Sequence, residues 1–118
     1  MNPWIKSAAT LAASCAMAPS ALAAGMTGQI VEMAIDKDIG GNLVFIKLAG
    51  SKSNLPACHI NASWDFVLPI VDAADKNMFA MLVAAKAAGQ PVTVRGNNSC
   101  APQFSSIEQA LGARMIQP

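Results

Sequence analysis

The sequence predicts a mainly β domain with one helix, a five-stranded Greek-key barrel of the OB type with its helix between strands 3 and 4 and one disulfide. Three observations predict it. Runs of β-formers recur between turn signals, and in order they read β-β-β-α-β, with a further segment, 107–116, that suits a strand or a helix equally. One long helical segment falls between the third and fourth strands, where an OB barrel carries its helix. Of three cysteines, two remain once a leader is removed, and an even pair in an exported chain forms a staple.

The leader is the opening stretch MNPWIKSAATLAASCAMAPSALAAG. Lys6 is its charged start, Ala8 to Met17 its weakly apolar run, and Pro19 breaks it before the small-x-small tripeptide Ala21-Leu22-Ala23. This is a secretory signal peptide over 1–23, cleaved before Ala24, and the run is too short to stay as a membrane anchor. A rival reading makes Cys15 the lipidated first residue of a lipoprotein, but Ala12-Ala13-Ser14 precedes it, with Leu11 one place too early for a good lipobox. Removing 23 of the 118 residues leaves 95, a single domain over 24–118 with one modest core.

In the mature chain, Gly28 to Asp36 alternates, Val31, Met33 and Ile35 facing one way and Ile30, Glu32 and Ala34 the other, as in a half-buried strand. Asp38-Ile39-Gly40-Gly41-Asn42 is a turn cluster, and Leu43 to Leu48 a second strand, so the two form a hairpin. Trp64 to Leu68 is a short third strand that Pro69 ends. Asp72 to Ala88 is the helix. Asp72 and Asp75 suit its N-terminus, Lys86 its last turn, Gly89 its C′ position, and Pro91 follows. Its apolar stripe is Met78, Leu82 and Ala85, widened by Phe79 and Met81, while alanine coats most of the rest. That coat fits close packing on another element or subunit, and equally fits alanine's high helix propensity. Val92 to Gly96 is a fourth strand, and Asn97-Asn98-Ser99 turns into Cys100.

Cys58 and Cys100 enclose 43 residues, counting both ends. A bridge closing a loop of that length stabilises a domain by about 4 kcal/mol in the chain-entropy account. Two free thiols, or a metal site of Cys58, His59 and Cys100, are the alternatives, but zinc ligands normally come in CxxC or HxxxH pairs and none is present.

Composition excludes several functions. The mature part carries seven acids and seven of the eight bases, a side-chain charge of zero, with no basic stripe for nucleic acid and no polybasic cluster for anionic lipid. A neutral surface also favours self-association. His59, the only histidine, lies near Ser63 and Asp65, yet the three crowd one short stretch without an oxyanion loop. No glycine loop cradles a phosphate, no carboxylate pair has a telling spacing, and no cofactor or catalytic residue is expected. Trp64 is the one candidate binding residue, read first as core packing and second as a stacking platform. Lys52, Asn54 and Asn61 around it read as solvated loop residues, and Asn61-Ala62-Ser63 is formally a glycosylation sequon.

Three blocks, Leu55-Pro56-Ala57-Cys58, DKNMFAMLVAAKAAG over 75–89 and PVTVRGNNSC over 91–100, resemble those of small secreted bacterial proteins similar to the B subunits of subtilase-cytotoxin-like and pertussis-like AB5 toxins. The likeness spans roughly residues 28 to 116. It implies an OB barrel with an internal disulfide, a homo-oligomer in the form of a pentameric ring with helices around its pore, and host glycan as partner. No sugar-contacting position transfers from it, and the scarcity of aromatics runs against a stacked sugar. The expectation is a secreted or periplasmic, non-enzymatic binding domain for carbohydrate. The alternative is a monomeric envelope protein that docks on another protein without a sugar site.

Overall fold

The computed structural model describes residues 25–39 and 42–116. The expected signal peptide and the turn glycines Gly40 and Gly41 lie outside the described residues.

Among the described residues, six strands and one α-helix follow the order β1 (Gly25–Gly28), β2 (Ile30–Ile35), β3 (Leu43–Leu48), β4 (Phe66–Pro69), α1 (Ala73–Ala88), β5 (Val92–Ala101) and β6 (Phe104–Met115), with a 3-10 turn at Lys37–Ile39. They form one sheet ordered β1-β5-β6-β4-β3-β2. Its neighbours are antiparallel except β4 and β6, which run parallel at Val67 and Gln109. β1 and β2 sit at opposite ends of that order but are separated by Gln29 alone. The sheet therefore curls until its two edges meet at that residue.

This is why there are six strands and not the expected five. The expected first strand began at Gly28; the chain is already extended from Gly25 and changes partner at Gln29, pairing with β5 before it and with β3 after it. Gln29 is held at the junction by its carbonyl, which accepts from the Ala49 amide at 2.8 Å, and by its side-chain amide, which donates to the Gly89 carbonyl at 2.8 Å. The expected alternation of this segment is also corrected. The register slips between Ile30 and Glu32, so Val31 is an extra residue in a bulge. Ile30 and Met33 consequently face the same core, and Val31 and Ile35 stand half exposed.

The inner core gathers Ile30, Val44, Ile46, Leu48, Phe66, Leu68, Val92, Val94 and Ala110 with Leu82 and Ala85 of the helix. A second cluster, Leu43, Phe45, Val67, Ala101 and Ile107, packs with Trp64 and Phe104. β3 and β4 alternate between the two clusters, so both their faces are buried and their sequences read as continuous apolar runs.

The helix has the expected ends. The Asp72 carboxylate accepts from the Asp75 amide at 3.0 Å, and Asp75 accepts from the Asp72 amide at 3.2 Å, a reciprocal capping box. Gly89 closes the other end in the left-handed region, φ +67°. Among the described residues no helix is long and apolar enough to cross a membrane.

The undecided segment 107–116 is strand. β6 runs from Phe104 to Met115, and β5 continues through the expected turn at Asn97-Asn98-Ser99 to Ala101. Both are irregular, with register shifts at Gly96 and Cys100 and with Asn98 at φ +64°.

Candidate binding site on the loop between β3 and β4

The loop 49–65 runs over the sheet and is tied down at many points. The Cys58–Cys100 disulfide joins its middle to β5, with Cα atoms 6.1 Å apart. Both thiols are consumed, so neither serves as a nucleophile or metal ligand. The amides of Ile60 and Asn61 both donate to the Ser106 carbonyl at 3.2 Å. Asn61 Oδ1 accepts from the Ser63 and Trp64 amides at 2.8 and 3.0 Å, an Asx turn that sets the approach to β4. Asp65 Oδ2 accepts from the Leu48 amide at 2.8 Å.

His59 is buried within this framework. The Glu108 amide donates to its Nδ1 at 3.0 Å, so the neutral ring carries its proton on Nε2 and donates toward the carbonyls of Asn61 and Trp64, each at 3.1 Å. Both nitrogens are engaged by backbone. Neither Ser63 nor Asp65 is brought to the ring, and the residue types that suggested a triad form none.

The loop's deepest tie was not readable from the sequence. Lys52, expected in solvent, turns inward. Its ammonium pairs with Glu108 Oε1, and the two side chains are 3% and 0% exposed. The other carboxylate oxygen accepts from the Asn98 amide at 2.8 Å. The ammonium also lies 4.6 Å from the centroid of the Phe66 ring. Space for the carboxylate is left by Gly96, where a Cβ would collide with the Glu108 carboxylate. Among the described residues this is the one ion pair.

Above this network lies an open concavity of about 270 Å³, lined by Lys47, Ser51, Leu55, Asn61, Trp64 and Asp65 together with Gly50, Lys52, His59 and Ala62. Trp64 has two roles at once. Its ring packs against Phe45, centroids 5.6 Å apart, and Phe45 meets Phe104 edge-on at 5.1 Å. The half-buried indole also forms part of the concavity wall. Around it stand a hydroxyl, an amine and a carboxylate, the donor and acceptor types that a polyhydroxylated ligand pairs with, beside a partly apolar ring.

A second, apolar groove of about 270 Å³ lies between β2 and the helix, lined by Met33, Ala34, Ile35, Val44, Phe79 and Val83. Along the helix's outer side Ala73, Ala74, Ala80, Ala84, Ala87 and Ala88 are exposed.

Comparison of the chain with protein-family models, with curated proteins and with solved structures returns no match.

Proposed function

We propose that the chain is an exported, non-enzymatic binding domain of the OB type, which presents the concavity beside Trp64 to a carbohydrate and multiplies weak contacts by self-association. The observation that carries the reading is the disulfide-tied loop, whose one tryptophan stands among hydroxyl, amine and carboxylate groups in an open concavity. The strand order supports the OB assignment if β1 and β2 are taken as one bent strand, since the order then closes on itself with the helix after the third strand. A disulfide is consistent with a secreted or periplasmic address. The engagement of both His59 nitrogens supports a binding role over a catalytic one.

Self-association rests on the apolar groove between β2 and the helix and on the alanine face next to it. The AB5-type resemblance suggests five copies. In such a ring each site is weak, and the joint attachment of several raises overall affinity by orders of magnitude. The same groove favours a second reading, a monomer that docks on another envelope protein through β2 and the helix.

Native mass measurement separates the two readings: a five-fold mass supports the ring, and a clean monomer supports docking. A glycan array then tests the ligand. Binding that is lost in Trp64→Ala and weakened in Lys47→Ala supports the site, and silence across the array removes it.

A further inference from the structure

β1, β5 and β6 turn Met26, Val92, Val94 and Ala113 toward the inner core, so the alternate residues stand on the outer face. The pairing register lines these up in two rows, Gly25-Arg95-Gly112 and Thr27-Thr93-Arg114. Arg95 thus has glycine on both neighbouring strands. Its guanidinium lies down over one of them, so that a Cβ on Gly112 would come within 3.0 Å of Nη2. Arg114 projects from the same face of β6, two residues beyond Gly112. Two permanent positive charges are therefore brought together on one small patch, where like charges repel.

Among the described residues no carboxylate pairs with either of them. Among the described residues the one ion pair is Lys52 with Glu108, and Glu108, the only acid on these three strands, is the one turned inward. The remaining acids are on β2 (Glu32), just after it (Asp36, Asp38), before β4 (Asp65) and at the helix start (Asp72, Asp75). A chain that is nearly neutral overall thus carries, among its described residues, only cations on the outer face of these three strands. Between the arginines is a concavity of about 320 Å³, walled by both and by Thr93, Gly112 and Ala113. The Thr27 and Thr93 hydroxyls, bonded to each other at 2.8 Å, lie in the row beside it.

We propose that this patch is a binding site for a phosphate or sulfate group carried on a small polar molecule. Two guanidiniums present paired N–H donors in a planar fork, the geometry that tetrahedral oxyanions accept. Gly112, lacking a Cβ, lets the Arg95 guanidinium lie flat on the sheet beside the concavity that Arg114 also walls. The concavity is larger than the ion, and the remaining space takes the body that carries it. Two arginines are too few to track a nucleic-acid backbone. The site shares no residue with the concavity beside Trp64 and stands or falls independently of it.

The test is a heteronuclear NMR titration of the oxidised protein with inorganic phosphate, inorganic sulfate, glucose 6-phosphate and glucose at constant ionic strength. The amides of Thr93, Arg95, Gly112 and Arg114 are expected to shift saturably with the three anions and not with glucose, and glucose 6-phosphate is expected to bind most tightly. Arg95→Gln and Arg114→Gln should each weaken binding roughly tenfold, as expected for the loss of a charge-assisted pair. Both side chains are exposed, and an otherwise unchanged spectrum confirms that each variant is folded. Absence of saturable shifts with all three anions overturns the proposal, as does binding that persists undiminished in the double variant.

Discussion

Replacing Lys52 by methionine removes the ammonium and leaves the Glu108 carboxylate, fully buried, with a single remaining hydrogen bond from the Asn98 amide. Methionine keeps most of the stem's apolar contact with Phe66, so the change isolates the charge. An uncompensated buried carboxylate costs about 3–5 kcal/mol, a third or more of the stability that a domain of this size holds. Glu108→Leu leaves the opposite orphan, a buried ammonium, and is expected to cost a similar amount. The double variant Lys52→Met/Glu108→Leu removes both charges and the need to desolvate them. It should therefore recover most of the loss, ending within about 1–2 kcal/mol of the parent. The assay is equilibrium unfolding in urea, which leaves ion pairs unscreened, followed by tryptophan fluorescence of the oxidised protein. A double-mutant cycle gives the coupling directly, expected at more than about 2 kcal/mol. If the two single losses simply add, or if each is below about 1 kcal/mol, the side chains are solvated and the loop is not anchored through this pair.

Two other changes test the local framework. Reducing the disulfide, or replacing Cys58 and Cys100 by serine, should cost about 4 kcal/mol from loop entropy alone, read as a fall in the urea midpoint with the helical circular dichroism signal retained below it. Asp72→Ala removes half of the capping box and should cost about 1 kcal/mol, whereas Lys76→Ala on the exposed helix surface should change stability by less than about 0.5 kcal/mol. Equal effects of the two helix changes would show that the cap does not bear on stability.

The concavity beside Trp64 illustrates how the site depends on distant pairing. Trp64 itself was visible as the single tryptophan after residue 24, and Asn61 and Asp65 lie close to it in the chain. Asn61, which in turn accepts from the Trp64 amide, is held by the Ser106 carbonyl, and the neighbouring His59 by the Glu108 amide, both more than forty residues further on. Asp65 is held by Ile46 and Leu48 of β3. Nothing in the neighbourhood of Lys52 distinguishes it from a solvated loop lysine, because its partner is 56 positions away. Glu108 could not be placed on a face while 107–116 remained open between strand and helix. Ile107, Leu111 and Met115 fall at helical spacing, yet Leu111 and Met115 are 49% and 40% exposed and Ala110 is in the core. The spacing there is a coincidence that strand pairing overrides.

What the chain's own order of residues determined is what depends on short range or on counting. The helix limits follow from Asp72, Asp75 and Gly89, which satisfy backbone groups within one turn of themselves. The Cys58–Cys100 disulfide was expected from the two cysteines that follow residue 24, and the mainly β character from clustered β-branched and aromatic residues. Tertiary structure alone decided the break at Gln29, the inward turn of Lys52, the strand identity of 104–115 and the gathering of Arg95 and Arg114 on one face. Each of these is fixed by a partner on another strand. Local alternation suggests which residues share a face of a strand, but which strand it pairs with, and where a bulge shifts that alternation, is set by hydrogen bonds to distant segments.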